Sequence, residues 1–468
     1  QSEGAGPDSG KGGLAQWDGI VMKPSRYNWA TDLGDGRKLL LNTFSGAADL
    51  VPAEALPLLR NDRMDAGGEM EALLSARRYL LEDGLDEEAL ARGVYQGMLR
   101  HRREQTRLHA VLLLTFQCNL KCSYCWQQAG KPGSAQTGAA CMDARTVDLA
   151  LLAARQLRER ITCDREAEPL VHLFGGEPLL PANLRLVEHV LAQSAARCWP
   201  VQITTNGTFL ELYEDLLAGS AVKEIQVTVD GPGEVHNRRR LGSDYRKLMD
   251  ALDRIILKCG ILVKLRVNVD FSNLDALPAL ADDIYARQWY ATRTFLGYVA
   301  PLRDAGRDRS LLRRRAQLLE ALRDLMEQHP KLEIFDFLGW DGYQPVRAFA
   351  AAGRMPYPRV HVCEANLNQF AFGPSGDVHV CLEDAANPCS RVGRFVPELA
   401  LDEASFRRWY DRGPFDMEHC RSCNLLPVCG GGCHLWQGDP ELTAPFCESV
   451  KECFRASLVR AFAQGELP

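Results

Sequence analysis

Cys118, Cys122 and Cys125 lie in the spacing C-x3-C-x2-C, with Tyr124 directly before the last of them. Three thiolates hold three irons of a [4Fe-4S] cube and leave the fourth open to a small molecule. This spacing therefore points to a cluster that does chemistry as well as carrying electrons. A zinc knuckle is the competing reading, but zinc sites usually supply four ligands as two close pairs, and this motif has no fourth partner nearby. A second field of cysteines lies near the end of the sequence. Cys363 and Cys381 frame C-x12-G-x4-C through Gly376; Cys420, Cys423, Cys429 and Cys433 follow as C-x2-C-x5-C-x3-C, with Cys447 beyond. A two-zinc ribbon is compatible with the pairs Cys420/Cys423 and Cys429/Cys433 taken alone.

The triplet follows the apolar run Val111–Phe116, and about fifty residues later Gly175-Gly176-Glu177-Pro178 follows a second such run. Together these resemble the signature and the GGEP motif of the radical S-adenosylmethionine (SAM) enzymes. In that family the open iron takes the amino and carboxylate groups of SAM, and one electron cleaves it to a 5′-deoxyadenosyl radical that removes a hydrogen atom from the substrate. The resemblance implies that Gly175, Gly176, Glu177 and Pro178 hold the SAM amino group. Thr204-Thr205-Asn206-Gly207 and Thr228-Val229-Asp230-Gly231-Pro232 are similar to family segments near the ribose and carboxylate. Tyr124, Thr205, Asn206, Thr228, Asp230 and Arg266 are thus candidate SAM contacts, although Asn206-Gly207 and Asp230-Gly231 also suit ordinary turns. Arg266 and Asn268 alternate with Leu265 and Val267 and so share one strand face. His236, Arg239 and Arg240 read as a solvated charge run, with peptide anchoring the alternative.

The seven later cysteines resemble a SPASM domain. By that resemblance Cys363, Cys381 and Cys433 ligate a first auxiliary [4Fe-4S] cluster and Cys420, Cys423, Cys429 and Cys447 a second. Cys389 is the candidate fourth ligand of the first; an open site for a substrate thiolate is the alternative. Cys453 is unassigned, and Cys141, Cys163, Cys198 and Cys259 read as small buried apolar residues.

The elements that must position these groups are legible as periodicities. From Val111 to about Met326, short apolar runs alternate with amphipathic ones, as in repeated βα units around a parallel sheet. Six strands are expected, at Val111–Phe116, Leu170–Phe174, Val201–Thr205, Ile225–Val229, Leu262–Val269 and Thr294–Val299, with helices such as Asp143–Arg160 and Leu184–Leu191 between them. This α/β pattern matches the partial (β/α)6 barrel of radical SAM enzymes, with chemistry at the C-terminal strand ends. Ahead of it, Tyr27–Leu33 and Arg37–Phe44 flank a Gly34-Asp35-Gly36 turn as in a hairpin, followed by helices at Met70–Leu81, stopped near Gly84, and from Glu87 to about Arg103. The expected organisation is a disordered leader or expression remnant (1–22), an N-terminal hairpin-plus-helices region (23–107), the barrel (108–345) and an iron-sulfur SPASM domain (346–468). The N-terminal region is similar to the winged-helix element that holds leader peptides in peptide-modifying enzymes; a structural cap is the other reading.

A chain of 468 residues has room for two or three domains. Its net charge of −6 gives a duplex-wide basic face no support, so no nucleic-acid partner is expected. No apolar run approaches the ~18 residues that would span a bilayer, and the N-terminus lacks the segments of a secretory signal. A cytoplasmic protein is expected, its sixteen cysteines serving as metal thiolates in a reducing compartment. The resemblance implies a maturase that oxidises a ribosomally made precursor peptide, installing a thioether or carbon-carbon crosslink, with a flavodoxin or ferredoxin as electron donor. Anaerobic sulfatase-maturating enzymes, which form formylglycine, carry an Asp directly after the cysteine matching Cys381; here Leu382 stands there, followed by Glu383 and Asp384, which are base candidates only by position. A non-catalytic electron relay is the remaining alternative.

Overall fold

The computed structural model describes residues 21–467 apart from 35, 54–55, 60–63, 66–68, 126, 128–140, 304–308, 357, 386 and 437–438. Most of the leader and the turn residue Asp35 therefore lie outside the described residues.

Strand β1 (Val21–Pro24) precedes an antiparallel meander of β2 (Asn28–Asp32), β3 (Arg37–Asn42) and β4 (Ala48–Pro52). Short β5 (Met64–Asp65) and β6 (Leu80–Glu82) flank β1 in a second small sheet. The helix expected over Met70–Leu81 spans only Glu69–Ala76. Arg78 turns the chain at φ 63°, and Leu80 and Leu81 then pair with Pro24 and Lys23, so strand pairing at the open edge of β1 overrides the helical period. The next helix, Glu87–Glu104, starts where expected, with the Asp86 carboxylate accepting from Ala89 N at 3.0 Å.

The meander packs on the far end of the chain. Trp29, Leu39 and Leu41 share a core with Val346, Phe349, Phe446 and Phe454, and Trp29 meets Phe454 edge-on at 5.6 Å. Trp29→Ala is expected to cost about 3–5 kcal/mol, read as a lowered midpoint of denaturant unfolding. An unchanged midpoint would remove Trp29 from that core.

The barrel strands are β7 (His109–Leu113), β9 (Leu170–Phe174), β10 (Val201–Thr205), β11 (Val222–Thr228), β13 (Leu262–Val269), β14 (Phe295–Pro301) and β15 (Phe335–Phe337); β8 (Lys121–Cys122) and β12 (Arg240–Leu241) form a separate antiparallel pair. All neighbouring barrel strands pair in parallel. The fold is that of a radical SAM (β/α) barrel, with β15 added at one edge. At the other edge β16 (Gln369–Phe372), from the C-terminal cysteine region, pairs in parallel with β7, and β17 (Asp377–His379), β18 (Gly393–Arg394) and β19 (Ala400–Leu401) continue the sheet antiparallel. The two cysteine fields are thus joined by one continuous sheet. Among the described residues no helix is long and apolar enough to cross a membrane.

Alternation along the strands separates two faces. Val171, Leu173, Val201, Ile203, Ile225, Val227, Val263 and Leu265 pack in the main core. The opposite face carries His172, Thr204, Gln226 and Arg266, which line a cavity. Strands buried on both faces usually read as continuous apolar runs, so this alternation marks a lumen built for a polar ligand.

Candidate functional site

β7 ends at Leu113, three residues before the end of the expected strand, and the released chain crosses the mouth of the barrel with the cysteine triplet. β8 anchors this loop against β12, with Cys122 opposite Arg240. Leu120 N donates to Cys118 Sγ at 3.4 Å, and Asn206 Nδ2, from the end of β10, reaches Cys118 Sγ at 3.7 Å and Asn119 Oδ1 at 2.9 Å. Cys118, Cys122 and Cys125 line one cavity of about 390 Å3, with Tyr124, Gly175, Gly176, Thr205, Asn206, Thr228 and Arg266 in the same wall. Burial pushes the Cys122 thiol up to about 11 despite the Arg240 charge.

Three of the expected SAM contacts do not line this cavity. Glu177 is 1 % exposed, and its carboxylate accepts from Leu179 N at 2.8 Å, Thr205 Oγ1 at 2.6 Å and Asn206 N at 2.7 Å. It ties the end of β9 to that of β10, and its oxygens are spent on the protein. Burial raises its pKa while these three bonds oppose the rise. Pro178 is buried, its carbonyl accepting from Asn183 Nδ2. Asp230 is fully buried, bound through Oδ2 by the Tyr124 hydroxyl and through Oδ1 by Asn268 N at 3.0 Å. The glycine pair is required by the protein itself: a Cβ on Gly176 would lie 2.0 Å from Gln117 O, and one on Gly175 2.4 Å from Thr115 O.

The polar run after β11 is not solvated. His236 is fully buried, its Nδ1 accepting from Asp230 N at 3.3 Å and its Nε2 meeting Ser243 Oγ at 2.9 Å. Arg239 holds both Asp270 oxygens at 3.0 and 2.9 Å, and Arg240 Nη1 donates to the Tyr124 hydroxyl at 2.8 Å. Burial opposes the Arg240 charge, but Tyr124, Cys122 and Asp230 outweigh it and the net shift is upward. Arg240, through Tyr124 and the β8–β12 pair, braces the triplet loop. Asn268 does share the cavity face with Arg266, whose Nε donates to Asn268 Oδ1 at 2.8 Å.

Motif reading missed Gln127, His172, Gln226 and Arg303, all of which line the cavity. The lumen-facing alternation could have found His172 and Gln226. Gln127 and Arg303 had no local signal. On the cavity floor His172 Nε2 meets Thr204 Oγ1 at 2.8 Å, and burial holds His172 well below the usual imidazole range.

The later cysteines sort into two groups. Cys420, Cys423, Cys429 and Cys447 line a second cavity of about 430 Å3. Cys363, Cys381 and Cys433 lie within electrostatic reach of one another, and Glu383 acts on all three. Glu383 also lines the first cavity, paired with Arg303 at 3.5 Å. Cys389 is exposed, in the turn Pro388–Ser390. Cys453 is fully buried in the main core. Of the scattered cysteines only Cys163 is buried; Cys141 and Cys198 are exposed and Cys259 is intermediate, a correction to the apolar reading.

Among the described residues no three His, Cys, Asp or Glu side chains converge on a point fit for a single metal ion; the thiols instead bound cavities. That donor set fits a multi-iron cluster. A buried Gln127 Nε2 without a hydrogen-bond partner in the first cavity fits a polar ligand beside it.

Residues 112–266 match the family model of the radical SAM superfamily. The GTP 3',8-cyclase of Mycobacterium marinum is 32% identical over 143 residues, 30% of this chain and 35% of that protein. The chain therefore spans about a third of the length of this curated relative. Among solved structures, native anSMEcpe with bound AdoMet and Kp18Cys peptide aligns with a TM-score of 0.54 and 17% identity, covering 76% of this chain and 99% of that one. Native anSMEcpe with bound AdoMet aligns at 0.52 and 16%, covering 76% and 99%.

Proposed function

We propose that this chain, with a radical SAM domain over residues 112–266, is a maturase that takes a hydrogen atom from a ribosomally made peptide and installs an oxidative modification, a thioether or carbon-carbon crosslink. In this reading Cys118, Cys122 and Cys125 hold a [4Fe-4S] cluster. Tyr124, Gly175, Gly176, Thr205, Asn206, Thr228 and Arg266 hold SAM, with Glu177, Pro178 and Asp230 supporting them from behind. Cys363, Cys381 and Cys433 hold a first auxiliary cluster and Cys420, Cys423, Cys429 and Cys447 a second, fed or drained by a flavodoxin- or ferredoxin-like protein. When bound, SAM and its cluster supply a radical able to abstract hydrogen. The N-terminal region, packed through Trp29 on the cysteine-rich end, serves as its cap.

The observation that carries this reading is the Arg303–Glu383 pair, which lines the SAM-side cavity and lies beside the three thiols of the first auxiliary set. A substrate in the cavity is bounded on one side by Cys118, Cys122 and Cys125 and on the other by a potential electron acceptor. Net oxidation also needs a base. Glu383 Oε1, facing the cavity next to Arg303, is placed to take the proton, whereas Asp384 is buried and accepts from Asn387 Nδ2. Glu383→Gln is expected to lower peptide oxidation by about 100-fold or more, the usual contribution of a general base, while leaving SAM cleavage intact. Peptide oxidation at the parent rate would exclude Glu383 as the base.

The test of the whole reading is the intact mass of peptides encoded beside this gene after anaerobic incubation with reconstituted protein, SAM and reductant. Loss of hydrogen pairs is the expected result; unchanged mass with SAM still cleaved would overturn the crosslinking assignment. A formylglycine-forming reaction is the second reading, favoured by the cavity-facing Glu383 carboxylate although Leu382 follows Cys381. A Cys-containing sulfatase-type peptide converted to its aldehyde would select it.

A further inference from the structure

Tyr27 lies in the turn between β1 and β2, is fully buried, and its hydroxyl has no hydrogen-bond partner. Leaving a buried hydroxyl unpaired forfeits its hydration without return, so such a group calls for a partner. Its surroundings narrow the choice. The ring belongs to an apolar cluster that contains Cys420 and Leu426, with Cys423 packed against it. Leu426 also walls the cavity bounded by Cys420, Cys423, Cys429 and Cys447. The small void beside Tyr27, about 20 Å3, is walled by Phe44, Ala91, Pro358, Phe415, Leu426 and Pro427 and by Tyr95 and Arg359, whose polar atoms are already bonded to Val360 O and to His361 O, Asp341 and Val362 O, so a water finds few partners there. Placement is secured on both sides: Thr43 Oγ1 donates to Asn424 O at 2.5 Å, Asn424 Nδ2 to Asn28 O at 3.0 Å, and Arg26 Nη1 to Arg421 O at 3.0 Å.

We propose that the Tyr27 hydroxyl donates a hydrogen bond to a sulfur of the iron-sulfur centre held by Cys420, Cys423, Cys429 and Cys447. This rests on the auxiliary-cluster reading above. A donor to a cluster sulfur stabilises the more negative, reduced state, so Tyr27 holds the reduction potential of this centre up. The N-terminal turn is then an electronic part of the redox site, about 400 residues away in sequence from its ligands.

The test is a redox titration of the reconstituted full chain, followed by electron paramagnetic resonance, in a background lacking Cys118, Cys122 and Cys125 so that only auxiliary signals remain. Tyr27→Phe keeps the ring and is expected to lower one auxiliary potential by the equivalent of about tenfold in the reduction equilibrium, about 59 mV for one electron, at unchanged iron content. The other auxiliary signal stays in place. Tyr95→Phe, whose hydroxyl donates to Val360 O, is the control expected to move neither. Should Tyr27→Phe load iron poorly, 3-fluorotyrosine at position 27, a stronger donor of the same shape, is expected to raise the potential. Unchanged potentials in both variants at full iron loading would overturn the proposal and leave the hydroxyl to a water. Absence of auxiliary iron from the parent protein would instead overturn the reading on which it rests.

Discussion

Replacement of Cys118, Cys122 and Cys125 together by Ala is expected to abolish 5′-deoxyadenosine formation from SAM under reducing, anaerobic conditions, while iron content falls by about a third, one [4Fe-4S] centre of three. The expectation rests on separability. The triplet loop closes over the barrel mouth, held by the β8–β12 pair and by Asn206, none of which needs the sulfur atoms except as weak acceptors. Each cysteine is only partly buried, so removing three Sγ atoms leaves no large cavity in the core. The second cysteine field sits behind Arg303 and Glu383 and in its own cavity, and its iron stays. Persistent 5′-deoxyadenosine formation would sink the assignment of the triplet. Loss of all iron would show that the two fields fold as one unit.

Gly176→Ala is expected to be nearly as damaging, by a route unrelated to metal ligation. The new Cβ would stand 2.0 Å from Gln117 O and 2.5 Å from Gln117 C, both backbone atoms with no flexible end to give way. Relief requires moving the segment that carries Cys118, or breaking the bonds from Gly176 N to Thr115 O at 2.9 Å and Glu177 N to Gln117 O at 2.8 Å. Overpacking costs about 1–3 kcal/mol and each lost buried hydrogen bond about 1 kcal/mol, and displacement of the cysteine loop by even an ångström misplaces the reacting atoms. Denaturant unfolding is expected to show the stability loss, and chromatography a SAM cleavage rate reduced by about 100-fold. Gly93→Ala is the contrast. Nothing lies within 4 Å of its Cβ on the exposed face of the helix Glu87–Glu104, so a gain of about 1 kcal/mol is expected there. Parent-like behaviour of Gly176→Ala would mean that the β9 turn adapts more freely than its contacts indicate.

The two glycines also show where reading by motif stops. Gly175-Gly176 was legible as a segment of the site because it follows a strand at the right distance from the cysteines. That its small size serves the neighbouring backbone appears only once β7 and β9 are side by side. Glu177 and Asp230 show the same gap: motif membership marked them as contacts, and burial turned both carboxylates onto protein donors. His236, Arg239 and Arg240 read as a solvated run because charge clusters usually are. Arg239 and Arg240 are taken up by Asp270 and Tyr124, which arrive from other parts of the chain, and His236 by Asp230 and Ser243.

What the sequence by itself determined is local. Cysteine spacing marks Cys118, Cys122 and Cys125 as one set, and all three line one cavity, because ligands a few residues apart are held near one another by the covalent chain. The later thiols are divided by resemblance and not by spacing, since Cys433 is set with the distant Cys363 and Cys381 and not with Cys429, four residues before it. Short apolar runs separated by amphipathic ones located six of the seven barrel strands, because a strand packed in a core must carry apolar residues within a few positions of one another. What only the tertiary structure decided is long-range. The closing of β16 on β7, the seating of Trp29 and Tyr27 on the C-terminal cysteines and the meeting of Arg303 with Glu383 join segments up to about 400 residues apart. Such contacts leave no periodic trace, since each depends on the summed packing of whole elements and on which side chains then find a partner before they are buried.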